Sequence, residues 1–145
     1  MGTAKLERDY DVRIRHTVFP LHPEIPEEGL DLEELFRGRD FDIPRMLAHL
    51  HRVAAEVGLP IGDRHRTYNT RRAQELSKWG EARGRGHAFR AAVYEAYFVK
   101  GRNIAQEDVL ADVADSVELS GIEAREALRS RVHAAEVAAD WARSR

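Results

Sequence analysis

The chain has 145 residues, of which 43% are hydrophobic and 33% charged, and its formal net charge is -2. This length and composition predict one globular domain, and the near balance of charges argues against a general attraction to nucleic acid or membranes. No apolar run approaches the about 20 residues of a membrane span, and no apolar signal region opens the sequence. A cytoplasmic protein is therefore predicted.

The sequence contains no cysteine. Disulfides, thiolate nucleophiles and cysteine-ligated metals are excluded from this polypeptide, because each of them needs a cysteine sulfur.

The first predicted elements are a helix and a strand. Residues 3–10 have the spacing of the last turns of a helix. Residues 11–19, from Asp11 to Phe19, alternate in character, with Val12, Ile14 and Val18 on one face, and predict a half-buried strand. It is the one clear strand in the sequence. Because an unpaired strand edge is a template for another chain, we expect a homodimer through residues 11–19.

Prolines at positions 20, 23 and 26 keep the next connection non-helical, and His22 is predicted to lie in a turn there. A short helix is predicted over residues 30–37. Asp42 is placed to cap a longer amphipathic helix that ends at Gly58. His49 and His51 are two positions apart on that helix, so they point in different directions and predict no metal site.

Residues 67–104 predict two amphipathic helices joined by a corner at Gly84 and Gly86. Asn69 or Thr70 occupies the N-cap position of the first helix, where a side-chain oxygen accepts a bond from an otherwise unpaired amide.

Basic residues gather at the start of that first helix. Arg71 and Arg72 lie in its first turn, and Arg64, His65 and Arg66 lie in the loop before it. Because cations there oppose the helix dipole while free amides are close, the arrangement would suit a small anion. The alternative is that these arginines pair with nearby acids, namely Asp63, Glu75 or Glu81.

Three more helices are predicted after Ile104. Ser120 and Glu123 form a capping box at the start of the second, and the third contains Trp141. Phosphate-loop, dinucleotide-binding, zinc-finger and esterase motifs do not occur. Nucleic-acid binding is not predicted either, since the chain is net acidic and its basic residues do not line one face.

Several sequence blocks occur in one order along nearly the whole chain: FPLHPE (residues 19–24), PEEGL (26–30), YNT (68–70), AQEL (73–76), AYFV (96–99) and GRNI (101–104). In this wording and order the chain resembles the DsbA-like thioredoxin-fold family, in particular its cytoplasmic FrnE-like branch, which is related to hydroxychromene-carboxylate isomerases.

The resemblance implies a mostly α protein with one clear strand, formed by the helical insertion and a partial sheet of a DsbA-like thioredoxin α+β fold. Within a single domain, residues 1–20 match a partial thioredoxin-like helix and strand. Residues 30–130 match the helical insertion, and residues 131–145 match the start of the returning helix. The family's Cys-Pro-x-Cys motif would precede Gly2 and its cis-proline loop would follow Arg145, so no catalytic residue is carried over.

Two functions remain open from the sequence. The resemblance implies a thiol–disulfide oxidoreductase lineage, in which this cysteine-free chain does not exchange disulfides on its own. The alternative is a non-catalytic helical binding or scaffolding module that self-associates or binds a small anion or a thiol ligand such as glutathione. The resemblance places His22, Asn69 and Thr70 beside the family's groove. The charge pattern adds the last two candidate ligand-binding residues, Arg71 and Arg72.

Overall fold

The structure is a computed structural model whose described backbone covers residues 3–144 and whose described side chains begin at Leu6. It is mostly helical with one small antiparallel sheet, which confirms the predicted fold class. The helices are α1 (Thr3–Asp9), α2 (Leu32–Leu35), α3 (Ile43–Glu56), α4 (Arg71–Ala82), α5 (Gly86–Tyr94), α6 (Glu107–Ser116), α7 (Gly121–Ser130) and α8 (Ala134–Arg143). A π-helical turn, Glu95–Val99, continues α5, and the strands are β1 (Leu30–Asp31) and β2 (Arg66–Thr67).

Local capping explains where several helices begin. The Asp42 carboxylate accepts a hydrogen bond of 3.0 Å from the Arg45 amide at the start of α3. Ser120 accepts one of 3.3 Å from the Glu123 amide at the start of α7. Each bond satisfies an amide that has no partner inside its helix, so both predicted starts are found in the structure.

The hydrophobic core lies among α4, α5, α6 and α7. Leu76, Phe89 and Leu110 are its largest fully buried apolar side chains. Helix α8 packs on α4 from the other side and buries Val137. Burying one side chain of this size contributes about 1.5–3 kcal/mol to the free energy of unfolding. Helices α4, α5, α6 and α7 therefore form the stable body of the chain. Among residues 3–144, no helix combines the length and apolar character needed to cross a membrane.

The strand predicted at residues 11–19 is not formed as a hydrogen-bonded strand in the structure. The predicted inward face is found in part, since Ile14, His16 and Val18 are half-buried whereas Val12 is exposed. No strand lies beside the segment in the described structure, however, so no ladder forms. The strands that do form pair Leu30 with Thr67 and Asp31 with Arg66, in regions predicted as helix and loop.

Side chains of α4 and α8 hold the 11–19 segment in place of a ladder. The Lys78 ammonium donates to the His16 carbonyl (3.1 Å), and the Val18 amide donates to the Asp140 carboxylate (3.1 Å). Gln74 donates to the Phe19 carbonyl at 3.0 Å. The 11–19 segment is therefore held on the helical body by hydrogen bonds whose partners lie far away in the chain.

Candidate functional site

A cavity of about 380 Å³ opens between the connection before β1, strand β2 and helices α4 and α5. We call it the α4–α5 lobe. Its aromatic lining consists of Tyr68, Tyr94, Tyr97 and Phe98. Its aliphatic lining includes Leu21, Ile25, Val93 and Ile104, and its polar lining includes His22, Arg64, Thr67, Thr70 and Arg90. A volume of this size and a mostly apolar lining with a few polar groups are typical of small-ligand sites.

The π-helical turn places two of these aromatic side chains. Tyr97 and Phe98 lie in the turn, with ring centroids 4.7 Å apart, and Phe98 also lies 4.8 Å from Tyr94. A π-helical turn inserts one extra residue into the helix, which turns the following side chains toward a different side, and such turns are frequent at functional sites. Helical spacing in the sequence did not predict this turn.

Arg64 lies over that aromatic pair. Its guanidinium carbon is 5.0 Å from the centre of the Tyr97 ring and 4.9 Å from that of Phe98, within the range of cation–π attraction. One of its terminal nitrogens donates to the Tyr97 hydroxyl at 2.9 Å, and the same hydroxyl is hydrogen-bonded at 2.9 Å to buried Thr67 of β2. The arginine is therefore held in a fixed position by β2 and the π-helical turn.

Gly62 lets the Arg64 loop approach the π-helical turn closely. Its amide donates to the Phe98 carbonyl at 2.8 Å, and a Cβ at this position would clash with the Val99 carbonyl oxygen. Only glycine fits this approach without a backbone shift, so the position of Arg64 depends on it.

The charge on Arg64 has no partner in the described structure. Within residues 3–144 no carboxylate lies at ion-pair distance from it, whereas Arg66, Arg71 and Arg72 each have one. The Nε of Arg64 is also buried without a hydrogen-bond acceptor. A buried donor without an acceptor costs about 1–3 kcal/mol, so part of the hydrogen-bonding capacity of this guanidinium is unused in the described structure.

A second cavity, of about 400 Å³, adjoins the first beneath α3, and we call it the α3 lobe. His22, Arg64 and Thr67 line both lobes. The other residues of the α3 lobe are mostly apolar: Leu32, Leu35, Phe36, Met46, Leu47, His49, Leu50 and Val53. We use the name Arg64 cleft for the two lobes together, with Arg64 at their junction.

Two of the predicted site residues lie in this cleft. His22 and Thr70 both line the α4–α5 lobe. A ring nitrogen of His22 lies 3.2 Å from the carboxylate of Glu24. A backbone hydrogen bond, followed by the one from His22, lowers the pKa of Glu24 from its ordinary value.

Asn69 lies outside the lining of both lobes and makes local hydrogen bonds. Its side-chain nitrogen donates to the Ile25 carbonyl at 2.7 Å and to the Pro23 carbonyl at 3.3 Å. Its oxygen accepts from the Arg71 amide at 2.9 Å. Asn69 thus fixes the connection before β1 against the start of α4, while Thr70, the other predicted cap, makes no capping bond.

Arg71 and Arg72 both have protein partners outside the cleft lining. Arg71 pairs with buried Glu75 at 3.1 Å, one of the acids offered by the sequence. Arg72 pairs with Glu27 at 3.1 Å and donates to the Ala105 carbonyl at 3.0 Å. An anion site at these two arginines remains a prediction, and an anion would compete there with both carboxylates.

No metal site is indicated by the side chains. In the described part of the chain, no three histidine or acidic side chains are grouped closely enough to hold an ion.

Comparison with known protein families gives a match. A family model described as the DSBA-like thioredoxin domain matches residues 3–144, almost the full length of the sequence. No curated protein matches the chain.

Proposed function

The chain belongs to the DSBA-like thioredoxin domain family, and we propose that it serves thiol–disulfide oxidoreductase chemistry as a ligand-binding body rather than as a complete catalyst. Exchange requires a thiolate that attacks a disulfide, and the 145 residues supply none. The sequence blocks described above support a place in the cytoplasmic FrnE-like branch of the family. The ligand we propose is a small organic anion, for which glutathione is the thiol-bearing candidate.

The unpaired charge of Arg64 carries this proposal. A guanidinium held over two aromatic rings, with a buried donor and no carboxylate partner among residues 3–144, provides an anchor for an anionic oxygen. Hydrogen bonds between charged groups contribute about 1.5–3 kcal/mol, more than neutral ones. Tyr97 and Thr67 would keep the anchor in position while the apolar lining contacts the body of the ligand.

Titration with glutathione, followed by amide NMR, tests the anion site. We expect shifts at residues around the cleft, including Thr67 and Phe98, and their loss in Arg64→Met. The matched control is Arg72→Met, which removes a partnered arginine outside the cleft and should bind as wild type does. Loss of binding in Arg72→Met alone would instead locate the anion at the start of α4. If neither glutathione nor a simple carboxylate shifts these amide resonances, the proposed anion site is wrong.

The absence of exchange is tested separately. The purified chain should not accelerate the reduction of insulin by dithiothreitol, because no atom of the chain can form the mixed disulfide. Reduction faster than the uncatalysed rate would contradict the proposed role.

Self-association through residues 11–19 is a second candidate, favoured by the unpaired amides in the middle of this segment. In the described structure, the amides of residues 13–17 donate to no protein acceptor, and Tyr10, Val12 and Phe19 expose about half or more of their surface. An edge of this kind pairs readily with a second copy, and an antiparallel pair is the simplest closed arrangement.

Light scattering over a dilution series tests this second candidate. Wild type should dimerise, Ile14→Pro should remain monomeric because it lacks one ladder donor, and Ile14→Val should behave as wild type. A wild-type chain that is monomeric at high concentration would exclude the dimer.

A further inference from the structure

We propose that, among small organic anions, the class that best fits the Arg64 cleft is a straight-chain alkyl carboxylate. Its carboxylate would be bound by Arg64 at the junction of the lobes, and its chain would lie in the α3 lobe. This inference rests on the proposed anion site and specifies which class of anion the site takes.

The shape of the cleft supports a long ligand. Two cavities of about 380 and 400 Å³ share His22, Arg64 and Thr67, so a ligand held at Arg64 has access to either lobe. The guanidinium is the only charged arginine or lysine group that lines the α3 lobe within the described structure. One anionic end and an extended apolar remainder match this arrangement.

The lining of the α3 lobe favours an apolar occupant over a strongly polar one. Apart from the three shared residues, its lining is aliphatic or aromatic except for His49. A peptide-like ligand would place amide and ammonium groups against this mostly apolar lining, which offers them few hydrogen-bond partners. An alkyl chain has no such groups and gains from every methylene that leaves water.

Helix α3 presents the surface that such a chain would cover. Leu50 and Val53 line the lobe and keep 36% and 39% of their surfaces exposed, although both belong to the apolar face of an amphipathic helix. An alkyl chain in the lobe would shield them from solvent. The same helix ends beside Val57, which is 64% exposed and does not line the lobe.

A homologous series of ligands tests the proposal. Butyrate, hexanoate, octanoate and decanoate would be titrated into wild type by calorimetry, below their micelle-forming concentrations. We expect the affinity to rise about fourfold for each added methylene until the lobe is filled. Alkyl trimethylammonium ions of equal length provide the charge control and should bind much more weakly. Equal affinity for the cations, or no dependence on chain length, would overturn the proposal.

A pair of tryptophan substitutions on α3 locates the chain. Val53→Trp fills the α3 lobe and should abolish the gain from octanoate to decanoate, while butyrate binds as before. Val57→Trp adds the same ring outside the lobe and should leave the whole series unchanged. If both variants keep the wild-type series, the chain does not lie in the α3 lobe and this inference fails, although the anion site stands. If wild type binds no carboxylate at all, the anion site itself fails.

Discussion

Charged side chains behave differently on the two sides of α4. On the side facing α8, every charge described here has a protein partner: Lys78 with Asp140, and Arg71 with Glu75. On the side facing the cleft, Arg64 has no carboxylate partner within residues 3–144. The difference indicates two uses of charge. Paired charges hold the 11–19 segment and α8 on the helical body, and the unpaired one is available to a ligand.

The Lys78–Asp140 pair is the most buried of these interactions. The two charged atoms lie 2.6 Å apart, and the side chains are 4% and 0% exposed. Burial raises the pKa of Asp140, but hydrogen bonds from Lys78, the Val18 amide and Arg143 outweigh it and lower the pKa to about 2. The carboxylate is therefore ionised in the folded protein throughout the physiological pH range.

The largest predicted effect is the loss of this pair. Asp140→Ala leaves the Lys78 ammonium buried without its partner and releases Val18, and should lower the free energy of unfolding by about 3–5 kcal/mol. Urea denaturation measures it. The control is Glu136→Ala, whose half-exposed carboxylate lies 3.8 Å from Lys78 and should contribute less than about 1 kcal/mol. If the two variants lose the same free energy of unfolding, the Lys78–Asp140 pair stabilises the fold no more than a surface ion pair does.

Lowering the pH should remove the contribution of the Lys78–Asp140 pair to the stability of the wild-type protein. Because the folded pKa of Asp140 is about 2, below its ordinary value near 3.8, the pair stabilises the fold above the ordinary value. That stabilisation, about 2–3 kcal/mol, is lost as the pH falls through the folded pKa. Unfolding free energies measured from neutral pH to pH 2 should show this component in wild type. An Asp140→Asn curve that falls as steeply would contradict it.

On the cleft side, removing the Tyr97 hydroxyl should have a smaller effect. Tyr97→Phe keeps the ring but takes the hydrogen-bond partner from both Arg64 and buried Thr67, and should cost about 1–2 kcal/mol. The affinity for an anion should also fall, because the guanidinium loses its fixed position. Phe98→Leu provides the contrast, since it removes a ring but no hydrogen bond. A Tyr97→Phe protein with unchanged stability and binding would show that the hydroxyl does not position Arg64.

The smallest predicted change in stability is that of Arg64→Met. The substitution removes a cation–π contact and a hydrogen bond, but it also removes a buried donor that has no acceptor. These contributions nearly cancel, so the free energy of unfolding without ligand should stay within about 1 kcal/mol of wild type. A loss of several kcal/mol would show that Arg64 stabilises the fold as the paired charges do. The contrast between the two sides of α4 would then be wrong.

Features determined by neighbouring residues could be predicted from the sequence. The caps at Asp42 and Ser120 depend on residues three positions away, so their helices begin as expected. The period-2 pattern of residues 11–19 likewise predicted the half-buried face from Ile14 to Val18, since alternation reflects side-chain direction alone. The partners of that segment, Lys78 and Asp140, are far away in the chain, and no pattern near residue 16 indicates them.

The Arg64 cleft could not be predicted from the sequence for the same physical reason. Arg64, Arg66, Arg71 and Arg72 lie within nine positions and look equivalent in the sequence, but only the folded chain shows which of them has no carboxylate nearby. The π-helical turn inserts one residue into the helix, and the spacing of apolar residues in the sequence does not indicate this insertion. Strands β1 and β2 have two residues each, too few to show alternation.

Ligand-linked unfolding of wild type and Arg64→Met is the most direct test of the claim that Arg64 is an anion anchor. Octanoate at about 100 times its dissociation constant for wild type should raise the wild-type free energy of unfolding by about 2.7 kcal/mol. The same concentration should stabilise Arg64→Met far less, while Arg72→Met should gain as much as wild type. An equal gain in wild type and Arg64→Met, or no gain in wild type, would contradict the account.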